Sequence, residues 1–159
     1  MSSGQSTAGT IATVAAGIFS GSALAISAID QPALLAIDPS GKEAAKRFKE
    51  MYRHAAPLQG ALALVGGGAA LAAAAQGGHC SRVLWGGSGA LLLAVWPWTL
   101  IAMMPTNNKL NEKDGPVPLE ERGELAKKWG RLHLVRTAAS LTSFAVMAVT
   151  LARLKPTHK

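Results

Sequence analysis

Four long apolar stretches, separated by two basic polar segments and one short turn, dominate the hydrophobic pattern of the chain. A membrane-spanning helix needs roughly 20 mostly apolar residues. Stretches of that length lie at about 9–29, 57–76, 83–104 and 132–152. The pattern predicts an all-α fold, a four-helix transmembrane bundle in which residues 1–159 form a single membrane domain.

Two prolines are expected to shape the third stretch. Pro97 lies inside it and predicts a kink, because proline has no backbone N–H and its ring clashes with the preceding turn. Pro105 follows it and predicts the end of the helix, because proline also restricts the residue before it.

The loop between the first two stretches is predicted to be an amphipathic helix. Apolar and small side chains recur there at helical spacing, with lysines and arginines on the opposite side. The apolar stripe consists of Ala44, Ala45, Phe48, Met51, Tyr52 and Ala55. This helix could lie on the membrane surface or run directly into the second span. In the second loop, "DGP" predicts a turn and "PLEE" predicts a helix start that could continue into the fourth span.

The distribution of basic residues predicts the orientation of the bundle. Segment 38–56 contains five Lys and Arg residues and segment 105–131 contains six, a total of eleven against four in the other turn and the termini. By the positive-inside rule, both long loops should be cytosolic. The first stretch is expected to be a retained span rather than a cleaved signal, since no basic residue precedes Lys42. The expected location is an endomembrane, such as the endoplasmic reticulum, if the organism is eukaryotic.

Composition narrows the function classes. The chain is 49% hydrophobic and 16% charged, whereas an average soluble domain is about 25% charged. The net charge of +7 is attributed to membrane-flanking residues that contact anionic headgroups of the lipid bilayer. No nucleic acid partner is expected, because the basic segments lack interleaved aromatics. The single cysteine, Cys80, excludes an internal disulfide, and no metal-binding motif is present. Small-residue faces such as "GIFSG" permit a homo-oligomer.

Polar side chains at membrane depth mark a candidate site, because burying them in lipid is costly. Trp129, His133 and Arg136 are spaced by four and three residues and therefore share one helix face. On the predicted topology, the polar end of the third span reaches the same level. The full candidate set is Tyr52, His54, Gln59, Trp98, Thr106, Asn107, Trp129, His133 and Arg136. A structural alternative is that the arginine extends to the interface and the tryptophans form an interfacial belt.

Two sequence segments resemble the DUF1772 family of integral membrane proteins. They are "PWTLIAMMPTNNKL" at 97–110 and "LAKKWGRLHLVRTAASL" at 125–141. The order of "QPALL" and "FKEMYRHAAPLQG" before them also fits that family. Its characterised members are fungal anthrone oxygenases. The resemblance implies a membrane monooxygenase of aromatic polyketide biosynthesis that oxidises a hydroxylated anthrone to an anthraquinone. It also implies O2 as co-substrate and no metal or flavin cofactor.

This chemistry suggests hypothetical roles for the candidate residues. A base would remove a methylene proton, a cation would stabilise the anionic oxygen, and an amide would bond a carbonyl or hydroxyl. The predicted catalytic residues, in that order, are His133, Arg136 and Asn107. The predicted substrate-binding residues are Tyr52, His54, Gln59, Trp98, Thr106 and Trp129.

Three alternatives remain open at this point. The first is a non-enzymatic membrane scaffold, the second a transporter or lipophile-binding protein, and the third a soluble helical protein.

Overall fold

The structure is a computed structural model that describes residues 2–40, 43–113 and 115–153. Lys42 and the side chains of Ala44 and Ala45, which entered the sequence predictions above, lie outside the described part. The described ranges are helical and contain no strand. Four of the helices are long and apolar enough to cross a membrane. The prediction of an all-α, four-helix transmembrane fold is therefore confirmed, and the chain is a multi-pass membrane protein.

The four helices are longer than the predicted spans. They are α1 (Ser3–Ile37), α2 (Ala44–Ala75), α3 (His79–Leu110) and α4 (Leu119–Arg153). The polar flanks continue the helices of the apolar stretches, in three cases past a proline at the junction: Pro32, Pro57 and Pro105. In α4, Glu120 and Glu121 occupy the first turn, where they complement the partial positive charge of a helix N-terminus.

The predicted amphipathic helix is the first part of α2 and runs directly into the membrane-spanning part. Phe48 on its apolar stripe is buried, whereas Lys46 and Arg47 are exposed. Pro57 lies inside this helix without ending it. Of the two arrangements considered from the sequence, the structure shows the continuous one.

Two π-helical turns interrupt the regular helices, at Ile26–Asp30 in α1 and at Thr99–Met103 in α3. A proline follows each of them, Pro32 in α1 and Pro105 in α3. The carbonyl four residues before each proline lies at the centre of the π turn. The wider turn therefore accommodates a carbonyl that would otherwise clash with the proline ring.

The expectation that Pro105 ends the third helix is therefore wrong, since the helix continues to Leu110. A different interruption occurs at Ala94, between the segments His79–Leu93 and Val95–Trp98. It lies three residues before Pro97, where the sequence predicted a distortion.

The bundle is cyclic, with α1 against α2 and α4, and α3 against α2 and α4. Two clusters form its core. The first, here called the alanine half, consists of Ala12, Ala16, Phe19, Ala23, Ala63, Ala70, Ala73, Ala74, Trp85, Leu92, Val95 and Met147. The second, here called the aromatic half, consists of Ile26, Phe48, Met103, Leu110 and Trp129. The candidate site lies at and beyond the border between these halves.

Candidate functional site

A cavity of about 140 Å³ lies between the four helices where the two core clusters meet. Its wall is mainly apolar, and each helix contributes to it. The lining residues that bear on its chemistry are Phe19, Tyr52, Gln59, Trp96, Thr99 and Arg136. A largely apolar cavity with a few convergent polar groups is typical of a small-molecule site.

Arg136 supplies the positive charge of this cavity. Its Nη2 donates to Gln59 Oε1 at 2.9 Å, and the guanidinium lies 5.2 Å from the centre of the Phe19 ring. Its buried Nε has no hydrogen-bond partner among the described residues. A buried donor without an acceptor is costly, so an acceptor oxygen on a bound molecule would stabilise it.

The Gln59 amide is fixed from both sides. Its Nε2 donates to Ser22 Oγ at 3.0 Å while its Oε1 accepts from Arg136. Ser22 in turn donates to the carbonyl of Phe19 at 2.8 Å. This series of hydrogen bonds across α1, α2 and α4 holds the guanidinium at the cavity wall.

His133 belongs to a second polar cluster, between α1 and α4. Its ring is 2% exposed and stacks on Trp129, with ring centres 4.6 Å apart. Its Nδ1 lies 2.9 Å from Ser27 Oγ, which lies 2.9 Å from Thr137 Oγ1. Ser27 is part of the π-helical turn of α1, so the irregular turn brings its hydroxyl to the imidazole.

Asn107 joins this second cluster through Trp129. The indole Nε1 donates to Asn107 Oδ1 at 2.9 Å, and both side chains are buried. The same indole meets the Phe48 ring edge-on, with ring centres 5.3 Å apart. Trp129 is therefore held between a ring stack, an edge contact and a hydrogen bond.

A continuous series of ring contacts connects the two clusters. Tyr52 lines the cavity and stacks on Phe48, with ring centres 5.4 Å apart. Phe48 contacts Trp129, and Trp129 stacks on His133. Three ring contacts therefore connect the His133 imidazole to the cavity-lining Tyr52, and His133 itself does not line the cavity.

The nine predicted site residues therefore do not form a single site. Tyr52, Gln59 and Arg136 line the cavity, whereas Asn107, Trp129 and His133 form the second cluster.

The remaining three lie elsewhere. Trp98 is half-buried and donates from Nε1 to the carbonyl of Leu132 at 3.1 Å. Thr106 is buried beside Asn107 on α3. His54 is exposed and borders an outer groove rather than the cavity.

Sequence reasoning missed Phe19, Ser22 and Ser27, which all come from α1. The available signal was the recurrence of serines in an apolar stretch, since Ser22 and Ser27 both lie in it and Ser22 shares a helix face with Phe19. In the described part of the chain, no three His, Cys, Asp or Glu side chains come together as metal ligands.

Comparison with known proteins matches the sequence to a family. The family model described as anthrone oxygenase matches residues 48–146, which include all nine predicted site residues. The chain belongs to the anthrone oxygenase family. One relative is a protein named anthrone oxygenase from Claviceps purpurea (strain 20.1), 30% identical over 155 residues. The match covers 88% of this chain and 86% of that relative. No solved structure matches the chain.

Proposed function

We propose that this family member is a membrane-embedded, cofactor-independent oxygenase of aromatic polyketide biosynthesis. It oxidises the central methylene of a hydroxylated anthrone to a carbonyl with O2 and yields an anthraquinone. Family membership supports an oxygenase role. The observation that carries the proposal is the half-buried Arg136 in an apolar cavity, whose buried Nε has no hydrogen-bond partner among the described residues.

The reaction balances without a bound redox group. Loss of one methylene proton from the anthrone gives an aromatic anthrolate, whose electrons reduce O2 and form a carbon–oxygen bond. The resulting hydroperoxide loses water, so that one oxygen atom stays in the new carbonyl and the other leaves as water. The protein must supply a base, a donor to the anionic oxygen and an apolar surrounding.

Arg136 is proposed to stabilise the anionic oxygen of the anthrolate. In the apolar cavity, a fixed cation interacts with a developing negative charge more strongly than it would in water. The bonds to Gln59 and, through it, to Ser22 hold the guanidinium in place before the substrate binds. Phe19 and Trp96 provide flat apolar surfaces for the rings of the substrate.

His133 is proposed as the general base, and Tyr52 is the competing group. A neutral imidazole can accept a proton, but that of His133 is connected to the cavity only through Trp129, Phe48 and Tyr52. Tyr52 lines the cavity directly. Comparing His133→Ala with Tyr52→Phe separates them. Tyr52→Phe keeps the ring and removes only the hydroxyl, so the variant that has lost the base is the one with the lower turnover rate.

Asn107, Trp129, Trp98 and Thr106 are proposed to support the site from the aromatic half. Asn107 Oδ1 is engaged by the indole of Trp129, so we propose that Asn107 acts by positioning that ring. The expected partners are the lipid bilayer and a lipophilic aromatic substrate, with a homo-oligomer still permitted. The long loops at 38–56 and 105–131 are proposed to face the cytosol, in an endomembrane if the host is eukaryotic.

The test is turnover of a hydroxylated anthrone by membranes that contain the protein, under oxygen-18 gas. Membranes without the protein give the autoxidation rate. We expect anthraquinone formation well above that rate, with one labelled oxygen atom in each product. If the protein binds the anthrone but anthraquinone forms only at the autoxidation rate, the oxygenase is rejected and a lipophile-binding protein is favoured. Absence of both binding and turnover would favour the scaffold.

A further inference from the structure

Most of the described residues that line the cavity belong to α2 and α3, and this side is here called its outer wall. Phe19 of α1 and Arg136 of α4 complete the lining. On the outer wall, Trp96 is 38% exposed and Leu100 is 53% exposed. Since α2 and α3 lie in the membrane, side chains exposed on this wall contact acyl chains. The cavity therefore adjoins the bilayer between α2 and α3.

The depth of this wall suits a lipophilic molecule with polar groups. Gly60 lies three residues inside the apolar stretch 57–76, and Arg136 lies four residues inside the stretch 132–152. A helix rises about 1.5 Å per residue, so both positions are roughly 5–6 Å below the start of the apolar region. A hydroxylated aromatic compound concentrates at that level, with its rings among the acyl chains and its hydroxyls near the headgroups.

Gly60 and Trp96 meet at the opening. A Cβ at Gly60 would lie 3.3 Å from Cζ2 of the Trp96 indole, a tighter contact than usual. A side chain larger than glycine would therefore displace the indole. Thr99 and Leu100, which also line the cavity, belong to the π-helical turn of α3. The irregular turn thus lies at the edge of the same opening.

We propose that the substrate enters the cavity sideways from the bilayer, between α2 and α3, and that Gly60 and Trp96 set the width of the opening. The pair therefore limits the size of the ring system that the protein accepts. This inference rests on the proposed function in one respect, namely that the ligand is a flat lipophile.

The first test is a size-dependent effect at Gly60. Gly60→Leu should raise KM for a three-ring anthrone about tenfold, with little change in kcat. The inhibition constant of a two-ring phenol should change much less. The control is Gly68→Leu on the same helix, because a Cβ there would meet no described atom within 4 Å. Adding Trp96→Phe to Gly60→Leu, which keeps a flat ring but frees space beside position 60, should bring KM part of the way back toward the wild-type value. Equal effects on both ring sizes, or no effect at Gly60, would overturn the inference.

The second test does not depend on turnover. Phospholipids brominated on their acyl chains quench tryptophans that face the bilayer. Trp85 and Trp129 are buried and Trp98 is half-buried, so Trp96→Phe should remove most of the quenching. Unchanged quenching in Trp96→Phe would place Trp96 away from lipid and reject the opening.

A binding measurement separates this inference from the proposed function. Binding of the anthraquinone to the protein in nanodiscs should weaken in Gly60→Leu and stay normal in Gly68→Leu. That result from a protein without turnover would reject the oxygenase and retain the opening. Normal wild-type turnover, with no effect of Gly60→Leu on binding, would retain the oxygenase and reject the opening.

Discussion

The alanine half and the aromatic half of the bundle are packed in different ways. In the alanine half, helices approach closely through small side chains. A Cβ at Gly89 would lie 2.9 Å from the Ala70 Cβ and 3.0 Å from the Gly67 carbonyl oxygen. In the aromatic half, large rings pack around the buried polar residues His133 and Asn107.

The difference shows where this chain can hold chemistry. Close contact between small residues leaves little room and stabilises helix pairs in lipid. Large rings and π-helical turns pack less regularly and bring polar groups to fixed positions, and the cavity lies at the border where this packing meets the alanine half. Both π turns contribute to the polar clusters, Ser27 to the imidazole and Thr99 to the cavity. We expect crowding inside the alanine half to affect mainly stability, and loss of the Arg136 charge at the cavity to affect mainly activity.

The largest expected effect is the loss of activity in Arg136→Ala. Removing the cation should lower the turnover rate at least about 100-fold, as for a lost donor to an oxyanion. The matched control is Arg131→Ala, because Arg131 is exposed and lies on the same helix. Turnover of both variants would be measured in membranes at equal protein amounts. Equal rates for the two would remove Arg136 from the reaction.

A crowding substitution in the alanine half should affect stability instead. Gly89→Val pushes α2 and α3 apart and should destabilise the fold by about 1–3 kcal/mol. Gly87→Val is the control, since a Cβ at Gly87 would meet no described atom within 4 Å. Thermal unfolding in nanodiscs measures the difference. The comparison between the halves fails if Gly89→Val unfolds normally but turns over slowly.

Trp129→Phe should have a smaller effect on stability. It keeps most of the ring stack on His133 but removes the donor to Asn107 Oδ1, which is buried. The expected loss is about 1 kcal/mol or slightly more. Trp96→Phe serves as the control, because the exposed Trp96 ring lies outside this cluster. Identical unfolding of the two variants would show that the Asn107 bond contributes nothing.

The smallest expected effect concerns Glu112 in the loop between α3 and α4, which pairs with Lys49 and Arg122 outside the four apolar stretches. The hydrogen bond from Lys49 holds the pKa of this carboxyl below its ordinary value of 4.5. A carboxyl whose pKa is lowered in the folded state stabilises the fold at pH values above its ordinary pKa. This stabilisation is lost as the pH falls through the lowered pKa. Glu112→Gln should thus unfold slightly earlier than wild type at neutral pH, and the gap should close below about pH 4.5. A difference that persists in acid would show that the ion pairs are not its cause. The control is Glu120→Gln, because Glu120 is exposed.

The helices and their number followed from the sequence because apolar length decides membrane crossing. The polar face of α4 was also predictable, since helical spacing alone places Trp129, His133 and Arg136 together. The assignment of His133 and Arg136 to two different polar clusters was not predictable, because it depends on which neighbour each side chain contacts. Ser27 on α1 meets the imidazole and Gln59 on α2 meets the guanidinium. Both contacts depend on long-range packing.

Photochemical cross-linking tests the central claim most directly. The protein in nanodiscs would be irradiated with a hydroxylated anthrone that carries a photoreactive group, and the modified residues mapped by mass spectrometry. The cavity predicts modification near Gly60 on α2 and near Trp96 on α3, reduced by excess unlabelled anthrone. Modification confined to outer grooves, such as that beside Cys80 or that beside His54, would contradict the account.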